Sequence, residues 1–448
     1  MLIYILLLLS FIMLMLFLLI NQLDYMSPTI LFLAPFTVSI LFAALYANEW
    51  GIQMNAITFF LLIFGFLSFF IGERLGKGIV KGKNRNKNNV SNVSNLEIPM
   101  YKYVIIIIYE LSAFFIYYKA LVSIVSLKGY KYILFDSTYA KEMSSEVGFF
   151  VSTINKLAIV FAYLCTLDLI YNYVFKKGKR IKKICDIIVI LIYLFTVLLT
   201  GSRGDVINYG VSFLFLLYVL ICKKKGWTIK EYKKMLIKII PACMTVIIGF
   251  FLLKNIVKKS GQMASGFLDI ISSYMGAQID LLDRLVSNNK YGISYNYIGY
   301  ESFNNMYQFL NKIGVIKDMP DIPFYYRAYN YIGCNVYTFF RRPYVDFGFL
   351  GCLFITMLCG YAFGYIYYKK IKNRNTDKKS LLSLLIYAFF INKVVMAFFD
   401  DYITIQISMT TAVILVLFFV MYKFVFFSHV RICLKKERIH VFSIDKKN

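Results

Sequence analysis

Residues 176–225 read KKGKRIKKICDIIVILIYLFTVLLTGSRGDVINYGVSFLFLLYVLICKKK. Six basic residues open the stretch and an apolar run follows at 184–200. The turn Thr200-Gly201-Ser202-Arg203-Gly204-Asp205 reverses the chain, a second apolar run returns over 205–222, and three lysines close it. Each run approaches the roughly 20 residues that a helix needs to cross a hydrocarbon core. Two such runs with lysines at both outer ends describe a helical hairpin through a membrane. The positive-inside rule puts the lysines on the cytoplasmic face and the turn outside.

The same pattern extends in both directions. Further apolar runs lie near 2–20, 29–46, 55–71, 103–126, 149–174, 236–253, 347–368, 381–398 and 403–427, which brings the total to eleven. The chain has 448 residues, 59% of them hydrophobic, and a mean hydropathy of +0.65. A soluble chain of this size carries an apolar share nearer half. The first run has no basic leader and no small-residue cleavage site, so it reads as a helix and not as a signal peptide. The expected fold class is an all-α polytopic membrane protein of about eleven transmembrane helices with one large outer loop. Its expected division is 1–253 for helices one to eight, 254–346 for an extracytoplasmic loop, 347–427 for helices nine to eleven, and 428–448 for a basic cytoplasmic tail.

A net charge of +26, from 50 basic and 24 acidic residues, invites a nucleic-acid reading. Its distribution argues against one. Segments 72–102, 175–183, 223–238, 369–379 and the tail after Val420 hold 33 of the basic residues, and eleven spans put all five on one side. The outer segments balance at 14 basic and 14 acidic residues. The spans hold Lys119, Lys156 and Lys393 against Glu110, Asp168 and Asp186. The surplus therefore reports orientation and contact with anionic lipid, with the N-terminus outside. No basic stripe lies on a folded domain, so no nucleic-acid partner is expected.

His429 and His440 are the only histidines, and both lie in the tail. The eight cysteines form no CxxC pattern. No metal site and no cofactor is expected, and no Walker loop is present.

Residues 254–346 are too long for an idle connection. Within 266–288, Phe267, Ile271, Tyr274, Met275, Leu282 and Leu285 fall at helical spacing, with Asp269, Asp280, Asp283 and Arg284 off that stripe. This predicts an amphipathic helix resting on the membrane surface or on the bundle. Asp280 and Arg284, at i and i+4, suit a surface ion pair as well as a site. The loop then turns aromatic and includes Tyr337 and Tyr344. A tyrosine has a flat apolar face and a polar tip, which suits stacking on a sugar as well as interfacial anchoring.

Two outer anion sites follow. In the Thr200–Asp205 turn, Ser202 can cap the next helix, whose N-terminal N–H groups face outward beside Arg203. An arginine fork matches phosphate oxygens in a bidentate way. The second is Asn335–Gly351, NVYTFFRRPYVDFGFLG, where Arg341 and Arg342 precede another helix start and Asp346 can bond an arginine or a substrate. Gly348 and Gly351 are expected to allow close helix packing. Lys156 and Lys393 lie in the outer halves of their spans, where intramembrane charge tends to line a cavity.

These features resemble the oligosaccharide repeat-unit polymerases of O-antigen and capsule synthesis, the Wzy-type family. The resemblance rests on the topology, on the Thr200–Asp205 turn, and on Asn335–Gly351 followed by Gly360 and Gly364. It implies a fold like that of the GT-C-like lipid-linked glycosyltransferases. It also implies transfer of an undecaprenyl-diphosphate-linked glycan onto a second lipid-linked repeat unit, at the outer face of the bacterial cytoplasmic membrane. A chain-length regulator and a flippase become candidate partners.

Arginines can stabilise a diphosphate leaving group without a metal. That role falls to Arg203, Arg341 and Arg342, with Arg284 and Lys156 behind them. Lys393, Tyr337 and Tyr344 are candidates for substrate binding. A carboxylate can deprotonate the attacking hydroxyl, and Asp280, Asp283, Glu301 and Asp346 are all available. Two rivals fit less well. The related O-antigen ligases use a histidine in the large outer loop, and this loop has none. A flippase would show shorter loops and two similar halves.

Overall fold

The computed structural model describes residues 1–81, 96–127, 147–199, 203–234, 237, 267–287, 297–317, 319–324, 326–329 and 332–427. The chain zigzags through α1 (Leu2–Ile20), α2 (Pro28–Leu45), the single turn α3 (Ala47–Trp50), α4 (Ala56–Lys81), α5 (Met100–Leu127), α6 (Phe149–Val174), α7 (Arg180–Leu199) and α8 (Arg203–Lys225). Next come α9 (Phe267–Ser287) and the short α10 (Asn304–Lys312). They are followed by a hairpin of β1 (Arg327–Tyr329) and β2 (Ile332–Cys334), with Ala328 opposite Gly333. Three helices finish the bundle: α11 (Arg341–Ile366), α12 (Lys378–Val395) and α13 (Met409–Phe426).

Among the described residues nine helices are long and apolar enough to cross a membrane: α1, α2, α4, α5, α6, α8, α11, α12 and α13. α7 covers the sixth expected run, but its first turn is basic and its apolar part is correspondingly short. The run at 236–253 lies outside the described residues, Ile237 apart. α11 begins at Arg341, ahead of the expected boundary at 347, and α13 begins at Met409, later than the expected 403.

The basic connections meet at one end. Lys102 Nζ donates to the carbonyls of Phe424 and Val425, the latter at 3.0 Å. Lys223 Nζ donates to Asn373 Oδ1 at 2.7 Å and to the Asn375 carbonyl at 3.0 Å. Lys372 pairs with Asp24 at 2.6 Å and Lys182 with Glu97 at 2.9 Å. Deeper in, Tyr103 of α5 bridges Asp168 of α6 (3.0 Å) and Asp186 of α7 (2.8 Å), tying three helices through polar groups.

In lipid, helix association depends on close packing rather than on hydrophobic burial. α4 and α11 meet this need with glycines. A Cβ at Gly72 would stand 2.0 Å from the Met357 carbonyl oxygen, and one at Gly360 would stand 2.1 Å from that of Phe69. Gly348 has a different task from the close packing expected of it. Its φ of +67° breaks the helical path of α11, and a Cβ there would meet nothing within 4 Å.

α9 packs on the bundle, the second of its two expected placements. A Cβ at Gly276 would stand 2.7 Å from Ala43 N of α2, and Gln278, Asp280 and Asp283 are buried.

Candidate active site at the end opposite the basic clusters

The starts of α6, α8 and α13 and the ends of α7 and α12 surround a cavity of about 660 Å³. It lies at the end of the bundle away from the basic connections. α10 covers one side with Asn305, Gln308, Phe309 and Lys312. The loop between α12 and α13 adds Ile405, Gln406 and Ser408. Asn305 Nδ2 donates to the Ile405 carbonyl at 2.8 Å and joins these two walls.

Three ammonium groups reach this cavity, those of Lys156 on α6, Lys312 at the end of α10 and Lys393 on α12. Lys156 and Lys312 are close enough to repel each other. Lys393 faces the charge of Asp205 and lies 5.6 Å from the centre of the Tyr402 ring. Asp205 sits in the first turn of α8, where a carboxylate is favoured by the helix dipole.

The wall between the lysines is polar. Asn392 Nδ2 donates to Ser212 Oγ at 2.8 Å, and the Tyr163 hydroxyl lies 3.1 Å from the same oxygen. Asn392 Oδ1, Asn155 Oδ1 and both polar atoms of Asn208 are buried with no hydrogen-bond partner. Each such atom costs roughly 1–3 kcal/mol, and inside a membrane bundle no lipid group can repay it. Four around one cavity point to a polar ligand.

One loop carboxylate stiffens the α12–α13 wall. Asp401 is buried and accepts hydrogen bonds from the backbone N–H groups of Ile403 (3.1 Å) and Thr404 (2.9 Å) and from the Thr404 hydroxyl. Burial pushes its carboxyl up to about 7, against the lowering effect of the Thr404 hydrogen bonds and the Arg342 charge.

Residues 1–334 match the family model described as O-antigen polysaccharide polymerase Wzy. The chain belongs to this family. It is accordingly an O-antigen repeat-unit polymerase acting on lipid-linked oligosaccharide repeat units. No curated protein and no solved structure matches it. The match runs through the Thr200–Asp205 turn and stops just before Asn335–Gly351.

The expected site residues of this Wzy protein separate into three places. Lys156 and Lys393 line the cavity together. Arg203 is the first residue of α8, two positions before Asp205, and residues 200–202 of its turn lie outside the described residues. The second group surrounds Glu301. Arg341 is buried, with Nε 3.2 Å from Glu301 Oε2 and Nη2 donating to the Pro323 carbonyl at 2.7 Å. Its guanidinium stacks between Phe324 and Tyr337, 4.2 and 4.3 Å from the ring centres. Arg342 Nη1 donates to the Glu301 carbonyl at 2.7 Å. Asp346 accepts from the N–H groups of Glu301 (3.0 Å) and Ser302 (2.7 Å). Tyr344 is half-buried against the core.

The third group surrounds Asp280. Its Oδ2 accepts from Arg284 Nε (2.8 Å), Arg327 Nη1 (2.6 Å) and the Tyr329 hydroxyl (2.5 Å). Arg327 also donates to the Trp50 carbonyl at 2.6 Å. This fastens the hairpin to α9 and α3. None of Arg341, Arg342, Asp346, Asp280, Arg284, Tyr337 and Tyr344 lines the cavity.

The loop tyrosines are spent similarly. Tyr297, Tyr300 and Tyr307 cluster with ring centres 5.4–6.1 Å apart, and the Tyr300 hydroxyl donates to the Pro320 carbonyl.

Sequence reasoning passed over Lys312, Asn155, Asn208 and Asn392. A signal was available. Each cavity lysine follows an asparagine: Asn155-Lys156, Asn311-Lys312 and Asn392-Lys393. In two cases the pair interrupts an apolar run, where an amide is as costly as the ammonium beside it.

Proposed function

We propose that this cavity is where the polymerase joins repeat units, and that it opens to the outer face of the bacterial cytoplasmic membrane. The positive-inside rule places the basic end of the bundle in the cytoplasm, which leaves the cavity outside. The donor is an undecaprenyl-diphosphate-linked oligosaccharide and the acceptor is a second one. The observation that carries this reading is the convergence of Lys156, Lys312 and Lys393 with unpartnered amide atoms of Asn155, Asn208 and Asn392 in one cavity.

Each part has a chemical task. The ammonium groups and Arg203, at the N-terminus of α8, take the donor diphosphate. The unpaired amide atoms bond sugar hydroxyls. The acceptor hydroxyl oxygen attacks the anomeric carbon of the donor as the bond from that carbon to the diphosphate oxygen breaks. Asp205 takes the hydroxyl proton. The diphosphate leaves with its charge already faced by preorganised cations, a form of stabilisation that needs no metal. Arg341, Glu301 and Asp346 hold the loop that carries α10 in place, and Asp280 with Arg284 holds the hairpin. A chain-length regulator and a flippase are further partners in this reading.

The test is purified protein supplied with a defined undecaprenyl-diphosphate-linked repeat unit in chelator-containing buffer, scored for polymer. Wild type is expected to form polymer. Lys393→Gln is expected to lose about 100-fold in rate, the cost of removing one preorganised charge donor, with an unchanged unfolding midpoint. Polymer at the wild-type rate from Lys393→Gln and Lys156→Gln alike would move the reaction out of this cavity.

A further inference from the structure

A second cavity, also of about 660 Å³, lies at the opposite, basic end. Six lysines line it: Lys176, Lys177, Lys183, Lys224, Lys225 and Lys234. They come from the α6–α7 connection, the first turn of α7, the end of α8 and the helical turn at 229–234. Glu231 is the one carboxylate among the lining residues, and it is shared by Lys225 at 3.3 Å and Lys234 at 3.9 Å. Lys224 Nζ donates to the Val174 carbonyl at the end of α6. Lys176 and Lys183 have no ion-pair partner among the described residues.

Orientation alone does not require this arrangement. The positive-inside rule asks only that lysines lie on one side of the membrane. Here they converge on a concavity with one acid between them, an excess of positive charge that an anion would balance. The cavity also has apolar walls. Val174 and Ile221 line it from inside, while Tyr173 and Ile237 are exposed at 67% and 72%. Ile181 and Ile184, in the first turns of α7 on either side of Lys182 and Lys183, are exposed as well. A soluble phosphate would gain nothing from these side chains, whereas acyl chains would cover them.

We infer that this cavity binds the headgroup of an anionic phospholipid from the cytoplasmic leaflet. Phosphate oxygens bond Lys176, Lys183 and Lys225, and the acyl chains run along Tyr173, Ile181 and Ile184. Basic pockets between helices on this side of a membrane are suited to such headgroups. The inference does not depend on the reaction proposed for the other cavity.

The experiment is native mass spectrometry of the purified full-length protein in detergent. Cardiolipin, phosphatidylglycerol, phosphatidylcholine and inorganic pyrophosphate are added separately, and unfolding midpoints are measured in parallel. Cardiolipin and phosphatidylglycerol are expected to be retained and to raise the midpoint; phosphatidylcholine and pyrophosphate are not. The triple variant Lys176→Gln/Lys183→Gln/Lys225→Gln is expected to lower anionic-lipid retention at least tenfold. Lys369→Gln/Lys370→Gln/Lys379→Gln removes equal charge from the same membrane face outside the cavity and is expected to retain lipid normally. Three results would each overturn the inference: equal retention of phosphatidylcholine, a midpoint rise with pyrophosphate as large as with lipid, or equal losses in the two triple variants.

Discussion

Arg341 and Lys393 are both cations at the same end of the bundle, held in opposite ways. Arg341 is enclosed by Glu301, a carbonyl and two aromatic rings, with Nη1 alone of its nitrogens lacking a partner. Lys393 opens into a cavity shared with two other lysines and with four amide atoms that lack partners. A buried charge whose partners are internal holds the fold together. A charge whose surroundings are unsatisfied is held ready for something from outside. The charge itself does not distinguish them, so the contrast must be tested on stability and on turnover separately.

The largest effect is expected on the enclosed side. Arg341→Ala breaks the buried pair with Glu301 and should cost about 3–5 kcal/mol of stability, read as a drop in unfolding midpoint and in the amount of protein in the membrane. Replacing Arg341 and Glu301 together by apolar residues should recover part of that loss, because neither half of the buried pair is then left behind. A wild-type midpoint for Arg341→Ala would place the arginine with the functional charges instead.

Asn208→Leu is expected to do the reverse. It removes two buried, unpartnered polar atoms, so the midpoint should hold or rise. Polymerisation should fall by about tenfold, the value of one lost hydrogen bond near 1.4 kcal/mol. A lower midpoint with full turnover would show that Asn208 belongs to the enclosed class.

A further effect, seen only as a dependence on pH, concerns Asp401. Burial raises its carboxyl to about 7 in the folded state, above an unfolded value near 3.9. The folded state therefore binds this proton more tightly. Its contribution to stability is full below about pH 4, declines as pH rises toward 7, and levels off above that. Asp401→Asn should flatten that part of the pH–midpoint curve. An identical slope in the variant would remove Asp401 as its source.

Much of the fold was legible in the sequence because lipid leaves a chain few options. A run of about 20 apolar residues must be helical there, since no solvent satisfies its backbone. Lys156 and Lys393 could be singled out for the same reason, as charges placed where charge is costly. The arginines Arg341, Arg342 and Arg284 could not be sorted in advance. A basic residue beside a helix start looks the same whether it awaits a phosphate or already holds a carboxylate. Glu301, some 40 residues before Arg341 in the chain, is the partner that decides the matter, and only folding brings them together.

The sequence alone thus determined the class of protein and its membership of the Wzy family, because hydrophobic length and family pattern are properties of the chain read in order. The tertiary structure decided which charges share a cavity. Lys156, Lys312 and Lys393 lie far apart in sequence and meet because the start of α6 and the ends of α10 and α12 lie on the same side of the bundle. The tertiary structure also showed which polar groups still lack partners. Hydrogen bonding is a relation between positions in space, and no single stretch of sequence contains it.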